Sequence, residues 1–422
     1  MRSGHFDGLS RALVHSFNYS TSRSLPVILE PNVDRTPSDA ASFPAEPVLA
    51  TARLIDGEVE VTWSGRWPGA RFAPFWLRDH CHAKESLHPE TLQRQVDTFS
   101  IPADITPLHL ELTNDGRMLE VRWRHDGGTS VLPAAFLWRM SRDEGRESAP
   151  RRRLWDRATF EGGLPAMSHE EIVAGDAGLL RWLSLVEEHG FALATGTPPT
   201  IEATKELATR IGYVRETIFG GMWEFTANLA FKDTAYTPLA IGPHTDGTYS
   251  IDSPGFQMFH CLQFDGTGGE STLVDGFMVA DRLRRTDPEA FEVLSSVAVP
   301  AQYLGDGVHL RAEHPVIGLD RDGNFRQIAY NNYDRAPFRL PAARLRTFYR
   351  ALTLFNELIN DPAHELTTRL APGTALLFDN WRTLHGRRAY QGLRRLCGAY
   401  LNKEDFDSKL RVLRERATNR MA

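Results

Sequence analysis

The chain has 422 residues, of which 41% are hydrophobic and 24% are charged, so a substantial core can form and wholesale disorder is excluded. The formal net charge of −6 excludes a global basic surface for nucleic acid, and no apolar run approaches the roughly 20 residues that span a bilayer. The three cysteines, Cys81, Cys261 and Cys397, are too few and too far apart for a disulfide framework. Composition therefore predicts a soluble, intracellular, globular protein that binds neither nucleic acid nor membranes.

Residues 1–47 are rich in Ser and Pro and have little periodicity, which predicts a poorly ordered or weakly docked segment. Arg2, Arg11 and Arg23 among many serines are typical of a mitochondrial transit peptide, whereas Asp7 argues against one. Only 5 of the 48 basic residues are Lys, a bias that favours a GC-rich bacterial genome. Two locations stay open, a bacterial cytoplasm and, in a eukaryote, the mitochondrial matrix.

The stretch 48–140 predicts a small β-rich domain. Residues 54–61 alternate around Asp56-Gly57, and residues 108–123 alternate around Asn114-Asp115-Gly116, so each stretch predicts a hairpin. Residues 141–164 are charged and arginine-rich, and this composition predicts a solvated linker.

Residues 165–422 predict a larger, mainly β domain with helices. Ser168 and Glu171 form a capping box that starts a helix through Leu183, and a second helix is predicted over 201–211. A strand is predicted over 190–194. Short apolar stretches, interrupted by one helix over 340–359, predict further strands at 255–263, 271–277, 314–319, 373–379 and 396–401. This pattern is typical of a barrel or jelly roll decorated by helices.

His244-Thr245-Asp246 is the first candidate site. Residues two apart in an extended segment project to the same side, so this imidazole and carboxylate can bind one metal ion. The pattern alone is weak, because it recurs at His88, His109 and His169, where ordinary structural roles explain it. A distant histidine, His385, follows the apolar run 374–378. Two histidines and one carboxylate leave coordination positions open, as in non-haem Fe(II) oxygenases.

Arg394 follows His385 by nine residues. If the two lie on neighbouring strands, the Arg394 guanidinium can bind a dicarboxylate cosubstrate through two parallel hydrogen bonds. Further arginines stand at 387, 388 and 395, so a surface charge is the alternative for any one of them.

Seven segments together identify a family resemblance. They are FWLRDHC (75–81), RETIFGGMWEF (215–225), DTAYTPLAIGPHTDGTY (233–249), GTGGESTLVDGF (266–277), YNNYDRA (330–336), FDNWRTLHGRR (378–388) and GLRRLCGAYL (392–401). The chain resembles the Fe(II)/2-oxoglutarate dioxygenases of the carnitine pathway, the trimethyllysine and γ-butyrobetaine dioxygenase family, which is related to taurine dioxygenase. YNNYDRA and the short interval from His385 to Arg394 are more similar to the trimethyllysine branch.

The resemblance implies a fold, cofactors and a reaction. The catalytic domain would be a double-stranded β-helix (jelly roll), and the enzyme a homodimer. His244, Asp246 and His385 would bind Fe(II), while Arg394 and Ser271 would hold 2-oxoglutarate, which is consumed with O2. Because Asp246 is present, hydroxylation is favoured over halogenation.

The resemblance also implies substrate-binding residues. Four aromatics fall at the positions of a trimethylammonium cage, although without the family match they would be interpreted as core: Phe219, Trp223, Tyr236 and Tyr400. Four polar residues suit the head of an α-amino acid: Asp233, Asn331, Asn332 and Asp334. Such a ligand describes N6-trimethyl-L-lysine, hydroxylated at C3. The alternatives are γ-butyrobetaine, another free amino acid or quaternary amine, or a catalytically silent jelly-roll binding protein.

One departure from the family concerns zinc. γ-Butyrobetaine dioxygenase carries a zinc site of three closely spaced cysteines and a histidine in its small domain. Here the run 81–86 keeps only the first cysteine, Cys81. A closed structural site needs four ligands, so we predict no zinc.

Overall fold

The computed structural model describes residues 48–142, 151–225, 237–305 and 307–419; the predictions for residues 1–47, Asp233 and Tyr236 lie outside these ranges. The described residues form two compact units, 48–142 and 151–419. Their secondary structure is mixed α/β and rich in sheet. Within these ranges no helix is both long and apolar enough to cross a membrane.

The first unit contains two antiparallel three-stranded sheets. The first sheet is formed by β1 (Leu49–Ile55), β2 (Glu58–Trp63) and β3 (Ala70–Phe72). The second is formed by β4 (Pro107–Thr113), β5 (Met118–Trp123) and β6 (Thr129–Pro133). The helices are α1 (Pro74–Asp79), α2 (Ala134–Ser141) and a 3-10 turn, Thr98–Ser100. Both predicted hairpins are confirmed. Asp56 and Gly57 have φ of 51° and 83°, the left-handed conformation that a tight two-residue turn requires.

Alternate residues of β2 and β5 form the core of the first unit, as the period of a half-buried strand requires. The buried members are Val59, Val61, Trp63, Leu119, Val121 and Trp123. Cys81 is also buried, and its sulfur accepts backbone N–H groups of Ala83 and Val131 at 3.3 and 3.5 Å.

Residues 151–164 are part of the second unit, so the prediction of a linker is wrong for this stretch. Trp155 is 1% exposed, and its backbone N–H donates to the Asp275 carboxylate at 3.1 Å. A 3-10 helix, Arg157–Phe160, follows and is capped by Asp156. The prediction failed because it rested on the charged composition of the segment and did not account for Trp155, whose burial attaches the segment to the second unit.

The second unit contains a large and a small sheet. The large sheet has the order β10-β21-β12-β19-β8-β7, and β9 also pairs with β21. Its strands are β7 (Ala166–Ser168), β8 (Phe191–Thr195), β9 (Val214–Arg215), β10 (Met222–Phe225), β12 (Phe256–Gly268), β19 (Ala375–Asp379) and β21 (Tyr390–Leu401). The small sheet has the order β11-β20-β13-β18. Its strands are β11 (Ile241–His244), β13 (Ser271–Asp275), β18 (Leu366–Thr368) and β20 (Thr383–Arg387).

The two sheets face each other across a shared apolar layer. Leu273 and Leu366 of the small sheet pack with Cys261, Leu376 and Leu396 of the large sheet. The candidate residues that the structure describes lie on strands and loops of this unit.

Helices cover the outer face of each sheet. The large sheet is covered by α3 (His169–Val173), α4 (Asp176–His189), α5 (Ile201–Ile211) and α9 (Lys403–Asn419). The small sheet is covered by α6 (Gly276–Thr286), α7 (Pro288–Ser296) and α8 (Ala342–Ile359). Two further hairpins are β14 (Ala298–Gly305) with β15 (Val308–Pro315), and β16 (Ile317–Leu319) with β17 (Phe325–Ile328).

Most of the predicted helices and strands of this unit are confirmed, with two corrections. The capping box of Ser168 and Glu171 is present, but its helix ends at Val173, and a new helix begins after Gly175. The prediction of a single helix among the later strands is also wrong. Helices α6 and α7 start at the side-chain caps Asp275 and Asp287, which accept backbone N–H groups of the first helical turn.

Candidate active site

His244, Asp246 and His385 converge, with one donor atom from each within 4.8 Å of the others. His244 and His385 stand directly opposite each other in the pairing of β11 with β20. The Asp246 carboxylate lies between them, with Oδ1 at 3.3 Å from His244 Nε2 and Oδ2 at 3.7 Å from His385 Nε2. Within the described ranges no other such group occurs.

Backbone contacts fix the orientation of this group. Thr245 and Tyr330 exchange two hydrogen bonds, N–H to carbonyl at 2.8 Å and N–H to Oγ1 at 3.0 Å, which turn Thr245 away from its two neighbours. The amide of Asn380 accepts the Asp246 N–H at 2.9 Å and donates to the Asp246 carbonyl at 3.0 Å. The backbone around Asp246 is therefore clamped on both sides.

The ring of His244 is oriented by a carbonyl group. Its Nδ1 lies 2.9 Å from the carbonyl oxygen of Gly242, which can only accept, so Nδ1 carries the hydrogen and Nε2 points to Asp246. Metal-binding histidines commonly use this contact to present the second nitrogen.

The electrostatics suit a cation between the three side chains. Burial alone would raise the pKa of Asp246, but the His385 and His244 rings and the Tyr400 hydroxyl outweigh it and hold that pKa far below its usual value. Burial and the neighbouring His244 lower the pKa of His385 to about 3. Burial opposes a raised pKa at His244, but the hydrogen bond and charge of Asp246 outweigh it. The ionised Asp246 carboxylate therefore favours a positive charge beside the two imidazole rings, and a metal ion can supply that charge.

Arg394 supplies a buried cation on the wall of the same cavity. It lies on β21 and is 8% exposed, and burial together with Arg387 lowers its pKa to about 10, so it stays charged at neutral pH. No carboxylate of the described ranges forms an ion pair with it, and its guanidinium lies 5.5 Å from the centre of the Tyr390 ring. A buried cation without a counterion calls for an anionic ligand.

Ser271 and Arg387 line the cavity beside Arg394. They are directly opposite each other in the pairing of β13 with β20. The guanidinium of Arg387 donates to the carbonyl groups of Thr237 and Leu239 at 2.6 and 2.8 Å. Arg387 therefore holds the 237–239 segment, whereas Arg394 makes no such contact with the backbone of any described residue.

The structure brings some of the predicted substrate residues to the cavity. Phe219, Tyr400, Asn331 and Asp334 line it, and the Asn331 amide donates to the Asp334 carboxylate at 2.8 Å. Asn332 lies at a separate, smaller cavity. Asp233 and Tyr236 are outside the described residues.

Trp223 lies behind the cavity wall. It is 4% exposed, and its ring packs against Phe225, Phe259 and Tyr400 with centroids 4.5, 5.6 and 5.5 Å away. The close approach of its ring to Gly398 leaves no room for a Cβ there. In the described chain Trp223 supports the aromatic wall from behind.

Sequence reasoning missed several residues that line the cavity. They are Phe225, Tyr249, Gln257, Phe259, Tyr303 and Tyr333. Period-two alternation could have found Phe225, because it shares a strand face with Trp223. The others come from β12, β14 and two loops, and their meeting depends on long-range pairing.

Comparison with known proteins decides the family. The sequence profile of the family described as "Taurine catabolism dioxygenase TauD, TfdA family" matches residues 169–400. The chain belongs to the TauD/TfdA dioxygenase family. This TauD/TfdA dioxygenase is 36% identical over 379 residues to a trimethyllysine dioxygenase of Meyerozyma guilliermondii, covering 85% of this chain and 94% of that one.

Two further relatives are similar to this TauD/TfdA dioxygenase over most of its length. The human mitochondrial trimethyllysine dioxygenase is 36% identical over 351 residues, which cover 81% of this chain and 83% of the relative. A γ-butyrobetaine dioxygenase of Pseudomonas sp. strain AK-1 is 32% identical over 387 residues, which cover 89% and 99%.

Proposed function

We propose that this dioxygenase uses Fe(II) and 2-oxoglutarate to hydroxylate N6-trimethyl-L-lysine at C3, with release of succinate and CO2. The observation that carries the proposal is the convergence of His244, Asp246 and His385 beside the buried Arg394, which forms no ion pair within the described part of the chain. The choice of substrate rests on the names of relatives that are 36% identical to this chain over most of its length.

The donor set of the site fits iron. His244, Asp246 and His385 would hold the ion through two imidazole nitrogens and one carboxylate, which suits Fe(II) and leaves positions for other ligands. When bound, iron supplies the activation of O2 that couples 2-oxoglutarate decarboxylation to hydroxylation of an unactivated C–H bond. The clamp of Asn380 on Asp246 keeps this donor set in place.

Arg394 is the residue we assign to 2-oxoglutarate. Its planar guanidinium matches a carboxylate with two parallel hydrogen bonds, and the ligand would provide a counterion, which no carboxylate among the described residues supplies. Ser271, 5% exposed on β13, is placed to donate its hydroxyl to the same ligand.

The substrate site is proposed from the aromatic part of the cavity. A trimethylammonium group has no N–H donors, so ring faces such as those of Phe219 and Tyr400 recognise it through cation–π attraction. Tyr236 and Trp223 stay in the proposed cage, Trp223 as the support behind Tyr400. The acid Asp334, held by Asn331, suits an α-ammonium group, with Asp233 and Asn332 as further members of the clamp.

Three broader assignments go with this function. We propose that the two facing sheets are the double-stranded β-helix of the catalytic domain. We also propose a homodimer, which light scattering after size exclusion tests directly. Its location would be a bacterial cytoplasm or, in a eukaryote, the mitochondrial matrix, the latter in keeping with the names of the animal relatives.

The second candidate substrate is γ-butyrobetaine, favoured by the relative that is 32% identical over 89% of the chain. It has the same quaternary tail but lacks an α-ammonium group, so it would offer no ammonium group to Asp334. A catalytically silent binding protein is disfavoured because all three donors and the buried cation are kept.

The deciding experiment measures succinate and hydroxylated product with Fe(II), 2-oxoglutarate and one amine at a time. Trimethyllysine, γ-butyrobetaine and unmethylated lysine are compared at equal concentration. Product from trimethyllysine supports the proposal. Turnover of γ-butyrobetaine alone would replace it with the second candidate, and turnover of lysine but not trimethyllysine would remove the aromatic cage.

A further inference from the structure

We propose that Tyr400 is a positioning residue for the metal ligand Asp246, in addition to forming part of the substrate cavity. This inference rests on the proposed function, because it assigns Asp246 to a metal. The Tyr400 hydroxyl would determine which carboxylate oxygen of Asp246 is available to the ion, while the Tyr400 ring lines the space for the substrate.

The contact joins β21 of the large sheet to the loop that follows β11 of the small sheet. The Tyr400 hydroxyl on β21 donates to Asp246 Oδ2 at 2.8 Å, and the ring is 6% exposed. The other oxygen, Oδ1, lies 3.3 Å from His244 Nε2. With Oδ2 engaged by the phenol, Oδ1 is the oxygen left for a metal ion.

Gln257 holds the phenol from the opposite side. It stands opposite Tyr400 in the pairing of β12 with β21, and its Nε2 lies 3.4 Å from the Tyr400 oxygen. A carboxylate oxygen can only accept, so the phenol donates to Asp246 and accepts from Gln257. This order also fixes the amide orientation of Gln257, whose Nε2 must be the donor.

Gln257, at one end of this chain of hydrogen bonds, also lines the cavity. Gln257 is 1% exposed, and its Oε1 is buried without a hydrogen-bond partner in the described ranges. Hydrogen bonds in such a chain polarise one another. The three residues Gln257, Tyr400 and Asp246 therefore connect the wall of the substrate cavity to a ligand of the metal.

Removal of the hydroxyl has a specific consequence. Without the donor, Asp246 Oδ2 is free to compete for the ion or to rotate the carboxylate. Losing a hydrogen bond to a ligating residue typically costs 10- to 100-fold in metal affinity or activity. Because Tyr400→Phe keeps the ring, the aromatic wall remains.

The test titrates Fe(II) into the full chain under anaerobic conditions, with and without 2-oxoglutarate. The readouts are the Fe(II) dissociation constant and the metal-to-ligand charge-transfer band of the ternary complex. We expect Tyr400→Phe to weaken Fe(II) binding roughly 10-fold or more and to shift or weaken the band. Gln257→Leu should change both readouts in the same direction and by less.

Thr204→Val is the control. Thr204 of α5 is also buried, at 0% exposure, and its hydroxyl donates to the Thr200 carbonyl at 3.0 Å and lies 2.8 Å from His260 Nδ1, neither of which is a metal ligand. Thr204→Val should lower thermal stability without moving the band. Comparison of Tyr400→Phe with Thr204→Val thus separates loss of a buried hydroxyl from loss of the contact with Asp246.

Failure of this inference is distinguishable from failure of the proposed function. If the wild-type chain gives no band with Fe(II) and 2-oxoglutarate, the proposed function fails. If the wild type gives the band and Tyr400→Phe matches it in Fe(II) affinity and spectrum, the positioning role alone is overturned.

Discussion

His385 faces His244 directly across the β11–β20 pairing, with the two ring centroids 4.3 Å apart. Sheet register therefore brings together two residues that are far apart in the sequence. The third donor, Asp246, follows β11 by two residues and is held by Asn380, from the turn that precedes β20. The two strands and their connecting loops thus form the complete donor set.

The first prediction concerns these donors. His244→Ala, Asp246→Ala and His385→Ala should each abolish iron-dependent turnover and weaken Fe(II) binding, because two remaining donors cannot replace the third. The measurement is succinate formation together with Fe(II) titration. His109→Ala is the control: it belongs to a second His-x-acid pattern, exposed on β4, where His109 Nε2 is 3.9 Å from Glu111 Oε2. A triad variant with near wild-type activity and iron binding would contradict the assignment.

Arg394 is the subject of the second prediction. Replacing it with Met should raise the KM for 2-oxoglutarate roughly 30-fold or more, since truncating a buried charge partner costs about 2–5 kcal/mol. Lys should be intermediate because it keeps the charge but not the planar fork. The KM for the amine substrate should change much less.

The adjacent arginine provides the control for Arg394. Arg395 is 42% exposed in its side chain and pairs with Glu224 at 2.7 Å, so Arg395→Met should leave the KM for 2-oxoglutarate near wild type. If Arg395→Met has the larger effect, the cosubstrate role belongs to that residue.

The third prediction tests a buried ion pair that stabilises the second unit. Arg382 Nη2 and Nε donate to the Asp275 carboxylate at 2.8 and 3.1 Å, and both side chains are at most 1% exposed. Asp275→Ala leaves the buried guanidinium without its carboxylate and also removes the acceptor of the Phe277 and Trp155 N–H groups, so it should lower the free energy of unfolding by at least about 3–5 kcal/mol.

Urea unfolding measures this effect, with Asp281→Ala as the control. Asp281 pairs with Arg285 on the surface of α6, where side-chain exposures are 31% and 69%, so its loss should cost about 1 kcal/mol or less. Equal losses of unfolding free energy for Asp275→Ala and Asp281→Ala would show that the buried pair stabilises the fold no more than the surface pair does.

Local signals made much of the fold predictable. The two hairpin turns, the capping box at Ser168 and helix 201–211 each depend on neighbouring residues, and all are present. The start of α7 was missed, although Asp287 caps it and Pro288 takes its first position. The burial of Trp155 could not be predicted, since its partners Asp275 and His189 are distant in sequence.

The residues of the candidate site also fall into those that the sequence predicts and those whose role depends on long-range pairing. His244 and Asp246 are neighbours with a readable spacing, and the quoted segments supplied His385 and Arg394. Asn380 stood inside the segment 378–388, but its role depends on meeting the loop after β11. The placement of Trp223 behind Tyr400 depends on the pairing of β10 with β21, which sequence alone does not give.

The fourth prediction is a pH dependence of stability. His260 is fully buried, and burial lowers its pKa to about 4, against about 6.5 when unfolded. The folded state therefore binds this proton only at a lower pH than the unfolded state does. The associated stability is present above pH 6.5 and is lost between about pH 6.5 and 4, in total about 3 kcal/mol.

His260→Gln removes this titration and gives the comparison. Urea unfolding of both proteins at several pH values between 7 and 4 measures the difference in free energy. We expect the wild type to lose about 3 kcal/mol more than the variant over this range. Parallel curves for the two proteins would exclude His260 as the source of the acid sensitivity.

The last prediction concerns Phe219, whose ring lines the cavity and lies edge-to-face with Tyr303 at 6.1 Å. Phe219→Leu keeps an apolar side chain but removes the π face. A cation–π contact is worth about 0.5–2 kcal/mol, so the KM for trimethyllysine should rise roughly 2- to 30-fold, with the KM for 2-oxoglutarate nearly unchanged. Phe338→Leu, at a ring packed on Phe348 in the core beneath α8, is the control and should leave both KM values unchanged. An equal rise for 2-oxoglutarate and trimethyllysine in Phe219→Leu would mean that the ring shapes the cavity as a whole, and not a site for the quaternary ammonium group.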